Sequence, residues 1–300
     1  MRIGMFRGDI ADGPVDAIVE AAGLANDAGY ASYWLPQIFG HDAITALGVV
    51  GTQVPRIELG TAVVPTYPRH PIMLAEQAIT ANAFSGGRLA LGIGLSHKLV
   101  IENMYGLSFD KPLRHMREYL SILVPLAREG RVSFAGETLT GHMGFSIKDA
   151  SPFPILVAAL GTKMLELAGT VADGTLTWMT GPATIETHVV PTITAAAQAA
   201  GRPAPRVGVS LPVCVTDDPD GARDIAAKTF EVYGTLPSYR AMLDREGAAG
   251  PADVALVGNE AEVTAAVMRL ADGGATDFVA APFGSSDDVR RTDAALRTLL

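Results

Sequence analysis

Groups able to do chemistry follow several of the short apolar runs in this sequence. They are Gln37, the Ala62–Val63 peptide, residues 96–98 (Ser-His-Lys), residues 160–163 (Leu-Gly-Thr-Lys) and Trp178. An amide, an imidazole and an indole N–H form directed hydrogen bonds, and an indole ring also offers a flat stacking surface. If the apolar runs are neighbouring strands, these groups meet at one edge of a sheet and define one site.

The segment 160–163 has the most specific chemistry. A glycine and a small hydroxyl residue directly before a helix leave backbone N–H groups free at the positive end of the helix dipole. Phosphate is the anion that this arrangement predicts. The other groups have simpler alternatives: His97 could face water, Lys163 could be a solvated helix residue, and Trp178 could plug the core or form a stacking wall.

Composition argues against several classes of function. Hydrophobic residues make up 48% of the 300 residues, which suits a sizeable core, and no apolar run reaches the length of a membrane span. The formal charge of -9, with 23 scattered basic residues, argues against a nucleic-acid surface. Cys214 is the only cysteine, and the six histidines lack ligand-like spacing, so neither a disulfide nor a metal site is expected. The N-terminus shows no signal-peptide pattern, which predicts a cytoplasmic protein.

Common catalytic motifs are missing from the sequence. It contains no Walker loop, no His-Glu-x-x-His and no Gly-x-Ser-x-Gly elbow. Residues 92–97 (GIGLSH) begin like a dinucleotide-binding fingerprint, but the third glycine is absent and the segment comes late in the chain. A Rossmann fold is therefore rejected.

Apolar runs rich in β-branched residues alternate with helical patterns along nearly the whole chain, which indicates repeated βα units and a parallel sheet. Eight strands are predicted, near residues 2–6, 31–35, 57–64, 89–94, 155–160, 175–179, 207–215 and 276–281. Eight such units predict an α/β fold, a (β/α)8 TIM barrel, as a single domain over residues 1–300. The carboxyl ends of its strands would form the mouth that holds the candidate groups.

Local signals predict where the helices begin and end. Pro14, Asp42 and Pro71 are expected to begin the first three, and residues 85–87 (Ser-Gly-Gly) to end the third. Later helices are expected at 162–172, 183–200, 219–245 and 260–271 and near the C-terminus, with an irregular linker at 248–257.

The fourth unit is longer than the others and predicts an insertion over about 97–153, after strand 4. It contains a helical pattern near 112–128 and a hairpin pattern with strands at 131–134 and 137–139. Such an excursion at a strand's carboxyl end shapes a pocket or an oligomer contact, or is a surface elaboration with no ligand role.

Several segments resemble a known family, in the right order and over nearly the whole chain. They are LGTAVVP at 59–65, HP at 70–71, AEQ at 75–77, SGGRL at 85–89, LGIG at 91–94, FDKP at 109–112, RE at 117–118, PILVAA at 154–159, KML at 163–165 and ADG at 172–174. This pattern resembles the luciferase-like superfamily of flavin and deazaflavin oxidoreductases, and within it the branch that uses coenzyme F-420. The later segments are similar to methylenetetrahydromethanopterin reductases.

The resemblance implies a deazaflavin ring at the carboxyl face of the barrel, with FMN as the alternative cofactor. It also implies a non-proline cis peptide at Ala62–Val63 beneath the ring. The residues implied in cofactor binding are Thr61, Ala62, Val63, Gly94, Ser96, His97, Lys98, Ala159, Leu160, Gly161, Thr162 and Trp178.

Gln37 departs from the family pattern. Relatives that oxidise alcohols or sugar phosphates have an acidic residue and a histidine after the second strand, whereas this chain has Leu35-Pro36-Gln37. Glutamine is not a general base near neutral pH, so a reductase that passes hydride from reduced cofactor to a small organic substrate is favoured over an alcohol dehydrogenase. Gln37 and His97 are the candidate catalytic residues, with His97 as a proton donor.

Two alternative functions remain open at this point: an FMN-dependent luciferase-like monooxygenase and a non-catalytic flavin- or deazaflavin-binding protein. The expected partners are the cofactor, a small organic substrate and a second copy of the chain in a homodimer. Neither nucleic acid nor a membrane is expected as a partner.

Overall fold

A computed structural model describes all 300 residues of the chain. Its strands are β1 (Arg2–Phe6), β2 (Ser32–Leu35), β3 (Glu58–Thr61), β4 (Val64–Pro65), β5 (Leu89–Gly94), β6 (Arg131–Ala135), β7 (Thr140–Gly144), β8 (Ile155–Val157), β9 (Gly174–Trp178), β10 (Arg206–Val215), β11 (Leu256–Gly258) and β12 (Asp277–Pro282). Its α-helices are α1 (Val15–Ala28), α2 (Ala43–Gln53), α3 (Pro71–Phe84), α4 (Lys98–Asn103), α5 (Pro112–Glu129), α6 (Thr162–Val171), α7 (Pro182–Thr184), α8 (Val190–Ala199), α9 (Pro219–Thr229), α10 (Glu231–Thr235), α11 (Pro237–Glu246), α12 (Glu260–Asp272) and α13 (Ser286–Arg297). A π-helical turn at Ile185–Val189 joins α7 to α8, and a 3-10 turn at Pro251–Val254 precedes β11. None of the helices combines the length and the apolar character needed to cross a bilayer.

Eight of the strands close into one parallel barrel. Their order is β1, β2, β3, β5, β8, β9, β10 and β12, and β12 pairs with β1 to complete the circle. β4 pairs with the last residues of β5, and β11 pairs with the second half of β10. The barrel strands are buried almost throughout, as strands of a parallel sheet covered by helices should be. The predicted (β/α)8 barrel, with its insertion after the fourth barrel strand, is confirmed.

The first three helices begin where the sequence predicts. α1 follows Pro14, whose φ is -58°, and ends at Gly29 in the left-handed region at φ 93°. The side chain of Asp42 accepts a hydrogen bond from the backbone N–H three residues later, at 2.8 Å, and so caps α2. Pro71 opens α3. Short-range capping and proline geometry are enough to place these ends.

Two predictions in the C-terminal half were wrong. The expected helix at 219–245 is three helices, α9, α10 and α11, and the last break occurs where Pro237 has no N–H to continue the hydrogen-bond ladder. The expected linker at 248–257 contains the 3-10 turn and β11. β11 exists because β10 supplies its hydrogen-bond partners from a distant part of the chain, which no local pattern reveals.

The insertion also differs from its prediction. The short helix α4 was not anticipated, and the hairpin strands are β6 and β7, so the turn lies at 136–139 and not at 135–136. The buried Glu118 of α5 decides this turn. Its carboxylate accepts hydrogen bonds from the backbone N–H groups of residues 137, 138 and 139 at 2.9 to 3.0 Å. Burial by itself would raise the pKa of Glu118. The hydrogen bonds outweigh this effect, and the pKa is lowered to about 2.

The middle of the barrel is filled by Trp34. Its ring is fully buried, and its Nε1 donates to the Ser32 hydroxyl at 2.7 Å. The side chains packed around it are Ala90, Leu156, Leu176 and Val279. Gly60 makes room for the ring, because a Cβ at Gly60 would lie 2.2 Å from Trp34 Cε3. The interior is therefore a packed core, and a ligand can enter only above it.

A buried ionic network closes the amino end of the barrel. Arg206 makes two hydrogen bonds to Asp277, at 2.7 and 2.8 Å, and two to Glu58, at 2.6 and 3.1 Å. Its guanidinium carbon lies 5.5 Å from the centre of the Trp34 ring. With one end sealed by charge pairs and the middle filled by indole, the carboxyl end is the open end.

Replacing Gly60 with alanine should destabilise the protein, because the added methyl overlaps the Trp34 ring and neither the ring nor the barrel can yield easily. We expect a loss of about 1–3 kcal/mol in the free energy of unfolding, measured in urea. Gly23→Ala is the matched control: it lies within α1 with no atom near the new methyl, and should gain up to about 1 kcal/mol. Equal stability of the two variants would show that Trp34 is loosely held.

Candidate active site

The floor of the mouth is the bulge between β3 and β4. The Ala62–Val63 peptide is cis, which confirms the prediction, and both residues are half-buried. Thr61 supports them from below: its hydroxyl donates to the carbonyl of Gly92 at 2.8 Å and accepts from the N–H of Gly92 at 2.9 Å. Thr61 therefore ties β3 to β5 and keeps no free polar atom, whereas Ala62 and Val63 offer a small apolar surface. Because of this bulge, the ladder expected at 57–64 ends at Thr61.

Gly94, at the end of β5, allows the bulge to approach. A Cβ at Gly94 would lie 2.7 Å from Val63 Cγ2 and 3.3 Å from Ala158 Cβ. Its carbonyl accepts a hydrogen bond from the N–H of Thr66 at 2.9 Å, just beyond β4. Gly94 thus shapes the floor through the absence of a side chain.

Gln37 lies half-buried after β2, as predicted. Its Oε1 accepts a hydrogen bond from the N–H of Ala43 at 3.3 Å, in the first turn of α2. Its NH2 group donates no hydrogen bond within the chain and remains available to a ligand. The side chain is a hydrogen-bond donor here, with no basic group for proton abstraction.

Residues 96–98 divide into two groups. Ser96, in the left-handed region at φ 60°, turns the chain from β5 into α4, and His97 lies half-buried at the start of that helix. Burial lowers the pKa of His97 below its ordinary value of 6.5, so the ring is neutral at pH 7. Lys98 has a side chain that is 70% exposed and lies 3.8 Å from the carboxylate of Glu102. The structure therefore holds His97 inward and leaves Lys98 in solvent.

The N-terminus of α6 has the geometry expected for anion binding. Ala159 is fully buried and its N–H bonds to the Thr175 hydroxyl at 3.3 Å. From Leu160 to Lys163, no backbone N–H donates a hydrogen bond within the chain. Gly161 begins the helix without a capping side chain, and a Cβ there would meet no atom within 4 Å. The free N–H groups and the open space above Gly161 suit a phosphate group. β8 itself ends at Val157, three residues before the predicted 160.

His188 orients this helix start. It is buried on the π-helical turn, and its Nε2 donates to the carbonyl of Leu160 at 2.8 Å. The Leu160–Gly161 peptide is trans, so its C=O and N–H groups point in opposite directions. By binding the carbonyl on one side, His188 leaves the N–H of Gly161 pointing to the opposite side, away from the imidazole. A π-helical turn is frequently found at functional sites.

Replacing His188 with leucine should weaken binding of a phosphate-bearing ligand about tenfold, because the Leu160 carbonyl loses its partner and the peptide is free to rotate. His188→Gln, which keeps an N–H donor, should recover part of the affinity. His142→Leu, an exposed histidine on β7, serves as the control and should change nothing. The measurement is ligand affinity, with the effect on KM and not on kcat. If the leucine and glutamine variants bound the ligand equally well, His188 would not orient the Leu160–Gly161 peptide through its hydrogen bond.

Trp178 is part of a cluster of seven aromatic rings at the mouth. The ring of Trp178 stacks on Phe6 with centroids 5.5 Å apart, and meets Phe230 and Tyr233 edge-on at 5.8 and 5.9 Å. Tyr239 lies 5.1 Å from Tyr233. The members of this set, which we call the aromatic wall, are Phe6, His97, Trp178, Phe230, Tyr233, Tyr239 and Phe283. Both sequence alternatives for Trp178, a core plug and a stacking wall, stay predictions, because its ring packs against the hydrophobic core as well as against the wall.

The part of the wall that comes from residues 230–239 was not predicted from the sequence. This segment follows β10 and was interpreted as the middle of one long helix. Phe230, Tyr233 and Tyr239 form a run of aromatic residues around Pro237 that breaks the helical pattern, and this was the available signal. In the structure the break bends the chain back so that all three rings reach the carboxyl end of the barrel.

The insertion supports the site through a second aromatic stack. Tyr67, just after β4, lies parallel to His115 of α5, with ring centroids 3.9 Å apart and planes 3° apart. His115 Nε2 is 3.0 Å from the Thr66 hydroxyl, and Phe109 stacks on the other side of Tyr67 at 5.1 Å. Burial lowers the pKa of His115 to about 4. The insertion therefore packs against the loop that follows the bulge.

Groups from five barrel strands thus meet at one edge: Gln37, the Ala62–Val63 bulge, His97, the start of α6, and Trp178. A closed parallel barrel with such a mouth defines a TIM-barrel protein of the ligand-binding and enzyme class. The sequence profile of luciferase-like monooxygenases matches residues 3–297, and the chain belongs to this family. The family resemblance described above is confirmed.

Two relatives have similar sequences. A protein of Mycobacterium tuberculosis, provisionally named a coenzyme F-420-dependent oxidoreductase, is 35% identical over 59% of this chain and 55% of its own length. A 5,10-methylenetetrahydromethanopterin reductase of Methanolobus tindarius is 31% identical over 78% of this chain and 72% of its own. The first match spans little more than half of that relative.

Among solved structures, the coenzyme F-420-dependent tetrahydromethanopterin reductase of Methanopyrus kandleri superposes with a TM-score of 0.83. The superposition covers 99% of this chain and 97% of the reductase, at 21% sequence identity. At this identity the match establishes the fold alone.

Proposed function

We propose that the protein is a coenzyme F-420-dependent reductase that transfers hydride from the reduced deazaflavin to a small organic substrate. The start of α6 carries this proposal, because four consecutive residues there have free N–H groups beside an open glycine. The two relatives, whose names include this cofactor or a pterin reductase activity, support the same assignment.

The residues of the mouth fit such a cofactor. Leu160, Gly161 and Thr162 would hold a phosphate through backbone N–H groups, with Ala159 anchoring the turn. The half-buried Ala62–Val63 bulge offers a small apolar seat for a ring, and the ring of Trp178 offers an aromatic surface at the end of β9. Ser96 and His97 lie between these two regions, after β5.

When bound, the reduced cofactor supplies the hydride, and the protein supplies orientation and a dry environment. The NH2 of Gln37 would donate a hydrogen bond to the ring or to a substrate carbonyl. His97, neutral at pH 7, would act as a hydrogen-bond donor or acceptor, since the proton for the product is not stored as an imidazolium. The aromatic wall excludes water from the reacting atoms.

Reduction is favoured over alcohol oxidation because the candidate groups at the mouth include no carboxylate. Removing a proton from an alcohol requires a general base, which Gln37 cannot be and which His97 would be only weakly with its lowered pKa. An FMN-dependent monooxygenase is the second candidate, and the description of the family as monooxygenases favours it. We also propose that the chain works as a homodimer, which light scattering would test.

Titration of the purified protein with coenzyme F-420 and with FMN, followed by ligand fluorescence, tests the cofactor. We expect binding of the deazaflavin, and tight FMN binding with none of the deazaflavin would contradict the proposal. Reduced coenzyme F-420 is then offered with enones, imines and nitro compounds. Turnover of any of them contradicts the non-catalytic alternative, and failure of all of them supports it.

A further inference from the structure

An unsatisfied polar atom lies in the aromatic wall. Trp178 Nε1 is buried and has no hydrogen-bond partner within the chain. The other buried polar side-chain atoms without partners are the hydroxyls of Tyr33, Tyr67 and Tyr119. Only Trp178 among them belongs to the wall at the barrel mouth. A buried N–H without a partner is uncommon in native proteins, and at a ligand site it marks a donor reserved for the ligand.

The hydroxyl of Tyr233 lies near this N–H. The two rings meet edge-on at 5.9 Å. Burial raises the pKa of Tyr233 and the nearby indole N–H opposes that rise, so the two polar groups lie close together, although the N–H completes no hydrogen bond within the chain. One N–H donor and one O–H donor therefore stand side by side in the wall.

The three basic side chains next to wall residues in the sequence each lie beside a carboxylate. Arg7, next to Phe6, binds Asp9 at 2.7 Å, and Arg240, next to Tyr239, binds Asp244 at 2.8 Å. Lys98, next to His97, is oriented toward Glu102. No cation in this group is left to bind an anionic substrate.

Large apolar side chains stand exposed in the segments that follow two barrel strands at this edge. Phe39, after β2, is 67% exposed, and Leu99, after β5, is 66% exposed. An apolar rim around a mouth with few polar groups is typical of a site for an uncharged organic molecule.

We propose that the substrate is a neutral, planar carbonyl compound that stacks against the aromatic wall, with its oxygen bound by the N–H of Trp178 and the O–H of Tyr233. The reduction of this substrate rests on the proposed function, whereas its binding to the wall does not. A carboxylate of the same shape is disfavoured against the wall because burying it beside rings whose basic neighbours are already paired costs more than two hydrogen bonds return. When hydride from the reduced cofactor adds to the carbonyl carbon, the C=O π electrons move onto oxygen, and the two donors stabilise that charge. The oxygen then takes the proton of the Tyr233 hydroxyl, which regains a proton from solvent.

Three ligands of similar shape test the proposal by calorimetry: benzylideneacetone, a neutral enone; cinnamate, its anionic counterpart; and β-methylstyrene, which lacks oxygen. Each is titrated with and without oxidised coenzyme F-420, so that no turnover occurs. We expect the enone to bind at least tenfold more tightly than the other two. Equal or tighter binding of cinnamate would overturn the assignment of a neutral substrate.

Trp178→Phe keeps an aromatic ring and removes only the N–H. The affinity for the enone should fall about tenfold, because its oxygen loses a hydrogen-bond partner. The affinity for β-methylstyrene, which has no oxygen, should change by no more than about twofold. Tyr233→Phe should act in the same direction, and Tyr105→Phe, at an exposed tyrosine, should have no effect. An equal loss for the enone and the hydrocarbon would assign Trp178 to packing and overturn the hydrogen bond.

The two proposals fail in different ways. If coenzyme F-420 does not bind while the enone keeps its preference, the proposed function is wrong and the substrate class stands. If coenzyme F-420 binds and the three ligands bind equally, the substrate class is wrong and the proposed function stands.

Discussion

Replacing Arg206 with leucine is expected to lower the free energy of unfolding by about 3–5 kcal/mol. The change removes the bidentate partner of Asp277, whose side chain is 2% exposed, and leaves both Asp277 and Glu58 with Arg2 alone, at 3.5 and 3.1 Å. A buried carboxylate that loses its bidentate cation keeps its desolvation cost and loses most of the attraction that offset it, because the remaining Arg2 is half-exposed and farther away. Urea unfolding, followed by far-UV circular dichroism, measures the loss.

The control for this prediction is Arg223→Leu. Arg223 pairs with Asp220 at 3.4 Å on the surface of α9, where the partner's side chain is 97% exposed. Such pairs contribute little, so the change should stay within about 0.5 kcal/mol. A loss of similar size in both variants, or none in Arg206→Leu, would show that the network at the amino end does not stabilise the barrel.

Replacing Thr162 with glutamate is expected to reduce the affinity for coenzyme F-420 about 100-fold. The carboxylate would stand at the start of α6, where the proposed phosphate binds, and like charges a few ångströms apart near a protein surface repel by about 4 kcal/mol before salt screening. The same substitution should stabilise the free protein by about 0.3–1 kcal/mol, because a negative charge near a helix N-terminus is favourable. Loss of affinity together with a gain in stability separates a binding effect from damage to the fold.

Thr170→Glu is the matched control. Thr170 is exposed near the other end of the same helix, so its glutamate should leave cofactor affinity unchanged and slightly destabilise the protein. The affinity loss in Thr162→Glu should shrink as salt is added, since salt screens the repulsion. Unchanged affinity in Thr162→Glu would place the cofactor's negative charge elsewhere.

Helices that depend on short-range signals were predictable. Asp42 and Pro71 act within one turn of their own positions, and they begin α2 and α3 as expected. β11 and the hairpin turn were not predictable in this way. β11 depends on β10, and the turn depends on Glu118, a residue about twenty positions earlier.

In the candidate site, too, the features set by neighbouring residues were predictable and those set by long-range contacts were not. The open N–H groups at 160–163 could be predicted because a glycine and a threonine before a helix determine them locally. The role of His188 could not, since it depends on a hydrogen bond between residues 28 positions apart. Tyr233 and Tyr239 were missed because their place at the mouth depends on a break between helices. Helix propensity along the sequence does not indicate the angle by which such a break turns the chain.

The sequence by itself determined the barrel, the order of its strands and the stretches that end at its mouth. Alternating periods of 2 and 3.6 residues are properties of neighbouring residues, and eight repeats leave a parallel barrel as the favoured arrangement. Only the tertiary structure decided which side chains meet. Arg206 binds Glu58 across 148 positions, and the indole of Trp178 faces a tyrosine from another segment with its N–H unpaired. Such contacts depend on how strands and loops pack in three dimensions, which local spacing does not encode.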